Sequence, residues 1–573
     1  MTIVAFVLFP LLGWAIFHVL PLRVAVPTTL VSGFLLLPAS IVYDAPMLPG
    51  ISKESVAVFT TLLLALAFHR PAAQAHGHRR DGAAAEPSDV LPGWIPRPLW
   101  ARILLALALF GPGMTALTNM QPVSVGPIML PAMTPYDALN LIQTALVSLL
   151  PLIIARKYLA SEGGHTSILL VLAMAGLVYS LPTLAEVRLS PQLHILVYGY
   201  FPHQWLQHMR GDGFRPLVFL EHGLLLSLFL CLSVLSVLAY MRAIDGDRRV
   251  LYFFAAAYLT VVLVLSKSLG MVLIAIMTIP VLLFFSVRWQ LVFAAAIAGA
   301  VLTYPVLRSV GYNPLAPVVS AVYSVNPVRA GSLDYRLDNE DVLVEHANRK
   351  PLCGWGGWGR SGVFDDRGRL VTVRDGKWII ALGQNGWAGL ISLLGLLTMP
   401  ILLLALRSLR SPLTAATSGL CIVLAANLID LVPNSGLTPI TWMMAGALIG
   451  HLEVLRARAG QTVGEAAAPA PPADRPGAVT GGPAGPVYAR DAAPLVEARA
   501  MAAARAAREP AAAERDIEKL PLAARLRARA VRNRGDHAQA GGDPAGALAA
   551  EEGSATQPRY TRFAGPAPRG TRV

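Results

Sequence analysis

Residues 250–287 read VLYFFAAAYLTVVLVLSKSLGMVLIAIMTIPVLLFFSV, 38 positions carrying a single charge, Lys267. A helix rises 1.5 Å per residue and the hydrocarbon layer of a bilayer is about 30 Å thick. Each apolar half of this stretch therefore predicts one membrane-crossing helix, with a tight turn at Ser266-Lys267-Ser268. The rest of the chain has the same character. Of its 573 residues, 55% are apolar and 14% charged, and the mean hydropathy is +0.55. A soluble chain of this length would form roughly four domains and carry about 25% charge. These charges are too few to cover such surfaces.

Similar runs at 3–20, 24–43, 52–68, 99–118, 137–155, 166–185, 217–240, 250–266, 270–287, 289–307, 386–406, 413–432 and 436–452 predict twelve or thirteen spans. The expected fold class is all-α: a polytopic helical integral membrane protein with a large outer loop and a disordered C-terminal tail. The first run lacks a basic region ahead of it, so it reads as a first span rather than a cleavable signal. Cys231, Cys353 and Cys421 lie far apart without paired spacing, which supports neither a zinc site nor a disulfide framework.

The net charge of +13 divides near residue 455. Residues 456–573 are rich in Ala, Pro, Gly and Arg and hold 18 Lys+Arg against 12 Asp+Glu. So few aromatic and β-branched residues cannot offset the entropy of ordering a chain, so a solvated tail is expected, with transient helix at 495–508 and 522–534. Anionic lipid headgroups are a sharper alternative partner for it. Nucleic acid is not expected, because basic residues here lack aromatic interleaving. Residues 1–455 form the membrane domain. Arg23, Arg70, Arg79, Arg80, Arg97, Arg156, Lys157, Arg242, Arg248, Arg249, Arg288, Arg407 and Arg410 fall in alternate loops. The positive-inside rule makes those loops and the tail cytoplasmic, and puts 44–51, 119–136, 186–216 and 308–385 outside.

Two outer loops break the charge rule. Loop 186–216 carries Arg188, Arg210 and Arg215 with His194, His203 and His208. Segment 308–385 is 78 residues long, and long connections are usually functional. From within it into the next span, residues 336–397 read RLDNEDVLVEHANRKPLCGWGGWGRSGVFDDRGRLVTVRDGKWIIALGQNGWAGLISLLGLL. An amphipathic helix from Asp334 to about Asn348 should end before Pro351. Gly354, Gly356, Gly357 and Gly359 then alternate with Trp355 and Trp358, glycines for tight turns and indoles for sugar faces or an interface.

These motifs resemble the O-antigen ligase and O-antigen polymerase superfamily of bacterial surface-polysaccharide assembly. The family pattern has an Arg-led helix, a P-L-x-G-x-G-x-G turn, and H-N-x-Y-L-x-x-x-x-x-x-G-x-x-G entering a helix. Here Arg336 leads the helix, and Pro351, Leu352, Gly354, Gly356 or Gly357, and Gly359 make the turn. Trp378 and Ile379 stand at the Tyr-Leu places, and Gly386 and Gly389 close the pattern. Asp375 occupies the place of the usual catalytic histidine, and Gly376 that of the Asn. Either the carboxylate does the work of the imidazole, or His346 moves in, or the chemistry differs. Arg210 and Arg215, around Gly211, Gly213, Phe214 and Pro216, look like the family's Arg before a Gly-aromatic-x-Pro turn. Lys267 is the nearest basic residue to a further Arg place, offset by two.

The resemblance implies a periplasmic-face enzyme of the bacterial inner membrane, with its tail cytoplasmic. Such an enzyme transfers or polymerises glycan from an undecaprenyl-diphosphate-linked donor onto a lipid or glycan acceptor, without metal or cofactor. Arg210, Arg215 and Lys267 would bind the diphosphate, since guanidinium groups stay charged and grip phosphate bidentately. Asp375 or His346 would take the proton of the acceptor hydroxyl. Plainer roles compete at each place: headgroup contact for the arginines, snorkelling for Lys267, a turn for Asp375-Gly376. Glu221 and His222, opening an apolar run, are further candidates. Other classes consistent with the composition are a lipid-linked-glycan flippase and a non-catalytic assembly partner.

Overall fold

The computed structural model describes residues 1–43, 50–69, 90–210, 213–325 and 327–466. Beyond residue 466 the expected disordered tail and its two helix-forming stretches lie outside the described residues, as do Gly211 and the basic loop with Arg70, His76, His78, Arg79 and Arg80. Within the described residues the chain is mostly helical. In order come α1 (Thr2–Val19), α2 (Leu22–Leu36), α3 (Lys53–Phe68), α4 (Leu99–Leu117), α5 (Pro135–Tyr158), α6 (Glu162–Leu189), α7 (Leu193–Tyr198) and α8 (Gly223–Ala243). They are followed by α9 (Arg249–Leu265), α10 (Leu269–Phe284), α11 (Val287–Ser309), α12 (Ala316–Val325), α13 (Pro327–Asn348), α14 (Lys377–Ser408), α15 (Ala415–Asp430) and α16 (Pro439–Ala466). Two small antiparallel hairpins, β1 (Val123–Val125) with β2 (Ile128–Leu130) and β3 (Met209–Arg210) with β4 (Gly213–Phe214), sit between helices.

Each of the thirteen apolar runs lies at least in large part on a helix, and among the described residues seven helices, α1, α4, α5, α6, α8, α11 and α14, are long and apolar enough to cross a membrane. The apolar helices α2, α9, α10 and α15 are shorter, at 15, 17, 16 and 16 residues. Helix starts follow capping chemistry. Ser52 and Ser55 form a reciprocal capping box at α3, and Thr134 with Asp137 does the same at α5. Five boundaries differ markedly from the sequence expectation. Helix α14 starts at Lys377, nine residues ahead of 386. Helix α2 stops at Leu36, because Leu37 precedes Pro38 and takes the extended backbone that this position favours. Residues 217–222 turn before α8 instead of beginning it. Helix α13 starts at Pro327, well ahead of Asp334. The last helix continues eleven residues past 455 to Ala466, with no proline to interrupt its ladder.

Helices α8 and α15 are apolar on every face and buried on almost every face, as such helices must be. Helices α5 and α16 approach closely: a Cβ on Gly446 would stand 2.1 Å from the Leu152 carbonyl oxygen and one on Gly450 2.6 Å from that of Arg156. At the end of this pair, the buried Arg156 guanidinium forms a two-pronged ion pair with Glu453, one prong at 3.0 Å from Nε to Oε1. Arg156 also donates to Gly93 O at 2.8 Å, and the Arg97 N–H donates to Glu453 Oε1 at 3.1 Å, which closes the charge's hydrogen-bonding needs.

The decisive feature is a break in α14. Gly386 has φ 65° and ψ −166°, a conformation essentially reserved for glycine. A break frees carbonyls before it and N–H groups after it. The turn at 351–356 threads the gap and satisfies both sets. Trp355 N–H donates to Gly383 O and Gly356 N–H to Gln384 O, both at 2.9 Å, while Trp387 N–H donates to Pro351 O at 2.7 Å and Ala388 N–H to Leu352 O at 3.3 Å. The approach leaves no room for side chains: a Cβ on Gly386 would lie 2.5 Å from Leu352 backbone, and one on Gly354 2.6 Å from Gln384 backbone. Thermal unfolding of purified variants tests this interlock. Gly354→Ala and Gly386→Ala should each cost about 3 kcal/mol or more, from backbone strain plus overlap. Gly299→Ala, in a helix with open space around it, should instead be neutral or gain up to about 1 kcal/mol. Equal melting of all three would refute the interlock.

Candidate functional site

At one end of the bundle the start of α3, the 199–222 segment, the α9–α10 turn, the 308–376 segment and the α15–α16 turn enclose a cavity of about 1140 Å³. Arg215, Lys267, Arg336 and Asp375, chosen from three separate stretches of sequence, all line it. The first of these is only 7% exposed. Glu186, buried at the end of α6, places it by accepting the N–H groups of Leu217 at 2.8 Å and Val218 at 2.7 Å just beyond. The Arg215 guanidinium donates through Nη2 to Lys267 O at 3.2 Å. Lys267 in turn reaches over the β3–β4 hairpin, its Nζ 2.5 Å from where a Cβ on Gly213 would stand. Its φ of +57° is unusual for a side-chain-bearing residue, and Ser266 ties this turn to α8 through a 2.9 Å bond to Ser227. Hairpin and turn thus clasp each other and hold two cations at the cavity wall.

Arg336 and Asp375 meet as an ion pair, Nε to Oδ2 at 3.4 Å, both partly exposed to the cavity. Their alignment depends on α13. Arg308, 1% exposed on α11, pairs with Glu340 at 3.4 Å and Asp341 at 3.0 Å and donates to Leu337 O at 2.7 Å. One turn along from Arg336, Asn339 accepts the Val373 N–H at 3.0 Å, so one face of α13 clamps the strand-like run into Asp375. On the far side, Lys377 N–H donates to Leu431 O and Asn434 O, at 3.0 and 2.9 Å, seating the start of α14 against the α15–α16 turn.

Of the other sequence candidates, Glu221 and His222 line the cavity too, and those of the glycine turn lie elsewhere. His346 does not line the cavity. Its Nε2–H donates to Arg360 O at 3.0 Å and its ring stacks on Trp355 at 4.4 Å. Burial pushes its pKa below the usual histidine range, which keeps the ring neutral at pH 7. Trp355 returns an indole bond to His346 O at 2.8 Å, so this pair braces the glycine turn rather than a substrate. Gly354, Gly356 and Gly359 take positive φ in that turn. Trp358 is half exposed beside them, and Trp378 is buried edge-on against Tyr304 at 5.3 Å. Arg210 is placed by its backbone only, paired with Gly213 across the β3–β4 hairpin.

Lys53 and Arg374 line the same cavity and escaped the sequence reading, and Asp430, which on sequence reads as a structural residue near the outer end of a span, lines it too. Lys53 obeys the signal that singled out Arg215: it is a basic residue at an end of a span where the positive-inside rule disfavours one. Arg374, beside Asp375, donates to Ser361 Oγ at 2.9 Å. Asp430 closes α15, where an acid at a helix C-terminus runs against the dipole. Among the described residues five cationic side chains and four acidic ones line the cavity, so its wall carries fixed charges of both signs. No known protein family matches the chain, and no curated protein matches it.

Removing single charges separates placement from stability. Arg308→Ala removes a buried guanidinium, leaves the partly buried Glu340 without its cation, and should cost about 3 kcal/mol in thermal or denaturant unfolding, the lower end for breaking a buried pair. Arg336→Ala and Asp375→Asn break a partly exposed pair and should cost no more than about 1 kcal/mol. A large loss for the latter two would mean that the pair holds the fold together rather than serving the cavity.

Proposed function

We propose that this chain is a polytopic glycosyltransferase of the bacterial inner membrane, of the O-antigen ligase and polymerase kind suggested by its motifs. Its seven long apolar helices and outward apolar flanks, among them Leu251, Phe254, Val261, Leu273 and Ile276, each more than half exposed, fit a hydrocarbon surrounding. The observation that carries the reading is the convergence of Arg215, Lys267, Arg336 and Asp375 on one cavity. The substrate class is a glycan carried on undecaprenyl diphosphate, with a lipid or glycan hydroxyl as acceptor.

In this reading the acceptor oxygen attacks the anomeric carbon of the donor sugar and forms the new glycosidic bond. The bond from that carbon to the diphosphate oxygen breaks, and its electron pair leaves with the lipid diphosphate. Arg215 and Lys267, fixed beforehand by the hairpin–turn clasp, offset the charge growing on that oxygen without reorganising. The acceptor proton passes to Asp375, whose carboxylate Arg336 orients. His346 keeps the neighbouring turn in shape and takes no proton.

The test is full-length protein in lipid nanodiscs with a polyprenyl-diphosphate-linked oligosaccharide and a polysaccharide-core acceptor, scored by lipid diphosphate released. Arg215→Ala should lower the rate about 10²–10³-fold, the cost of deleting one preorganised electrostatic contact. Asp375→Asn should fall at least as far, while His346→Gln should stay within about tenfold of wild type, short of the 10²-fold or more that general acid–base catalysis contributes. Release unaffected by Arg215→Ala and Asp375→Asn would overturn the assignment. Movement of the lipid-linked glycan across the bilayer without release would favour a flippase.

A further inference from the structure

Three histidines that no part of the transfer reaction uses come together at the rim of the same cavity. His203 and His208 lie on the segment between α7 and β3, and His222 is the residue that caps α8. Their rings are neighbours in all three pairings, with centroids 5.7 Å apart for His203–His208, 4.6 Å for His203–His222 and 5.1 Å for His208–His222. One ring nitrogen from each lies within 4.8 Å of the others. Tetrahedral donors about 2.0–2.1 Å from a metal stand about 3.4 Å from one another. Each pair therefore needs to close by roughly 1.4 Å or less, a change of side-chain rotamer rather than of fold.

The geometry points to a binding site for a divalent transition-metal ion of the Zn²⁺ class, held by His203, His208 and His222. Three further features suit it. The His208 Nδ1–H points to the Arg215 carbonyl oxygen at 3.4 Å, the kind of outer bond that sets a ligating imidazole's tautomer and leaves Nε2 for the metal. His203 Nδ1 is buried with no hydrogen-bond partner among the described residues, an atom whose isolation a bound ion would explain. His203 and His222 both line the cavity, so a three-imidazole site keeps a position open to water or to an anionic oxygen held there. His222 is the costliest ligand. Its Nδ1 accepts the Leu224 N–H at 3.0 Å, and ligation requires the ring to give up that cap. The family likeness implies no metal, so this site would be a property of this chain, independent of the transfer reaction.

Metal-stripped full-length protein, titrated with Zn²⁺ against a chromophoric chelator and with Co²⁺ read by visible absorption, tests the site. One equivalent per chain should bind, with Co²⁺ showing the intense bands of low-coordinate nitrogen ligation. His203→Ala and His208→Ala should weaken binding by at least the roughly 10–100-fold that loss of a mere outer partner costs. His222→Asn supplies an equally good helix cap, so it should weaken binding as much while leaving thermal unfolding unchanged. Absence of a stoichiometric equivalent, or variants that bind as tightly as wild type, overturns the site. Metal uptake is read without any glycan, so its failure and that of the transferase reading are told apart.

Discussion

The passage of the 351–356 turn through the broken helix α14 organises the cavity end of this protein. A helix interrupted inside an apolar bundle exposes carbonyls and N–H groups with no water to satisfy them, at a cost of several kcal/mol for each. Here the intruding backbone supplies the missing partners on both sides of Gly386. The two segments are thereby tied to each other through backbone hydrogen bonds. The turn carries α13 and Arg336 on its N-terminal side, and the first turns of α14 carry Asp375 on theirs. Two residues 39 positions apart in the chain are thereby delivered to one 3.4 Å contact.

The opposite wall of the cavity is organised by charge burial rather than by a broken helix. Glu186 spends its carboxylate on backbone N–H groups at the end of α6, and this fixes the exit of the segment that carries Arg215. A buried guanidinium cannot lose its proton, so the site must keep a compensating environment at every pH. The Lys267 carbonyl contributes part of it, and the constrained backbone of Lys267 is the strain that this contact exacts. Cations held this way need no rearrangement to meet an anion. The histidines sit where the same segment turns into α8, and so share its placement.

Much of the helix count was legible locally. An apolar run long enough to cross a bilayer needs no knowledge of its neighbours, and all thirteen runs fall at least in large part on helices. Positions where the chain departs from its runs were harder. Leu37 before Pro38 was readable from proline sterics, whereas the turn at 217–222 was not, because Leu217–Leu220 are as apolar as a span and Glu186 and Tyr179, about thirty to forty positions earlier, accept the N–H groups there. In the site, Arg215 and Lys267 stood out as basic residues in the wrong loops. Lys53 answered to the same rule and was hidden inside the first turn of α3. Asp375, at the place of the family's catalytic histidine, and His346, a histidine that could replace it there, were both candidates on sequence, and packing separated them: His346 is stacked on Trp355 away from the cavity, while Asp375 pairs with Arg336 at the cavity wall.

The sequence by itself determined that the chain builds apolar helices, which loops carry exceptional charge, and that glycines punctuate 354–359 and 386–389. These are matters of composition and short-range sterics, and each residue announces them alone. The tertiary structure alone decided why those glycines are paired, which of the charged residues share a cavity, and that His203, His208 and His222 form one cluster. Contacts between residues distant in the chain depend on how helices pack and on where buried backbone groups find partners. Neither is encoded in the spacing of any one segment.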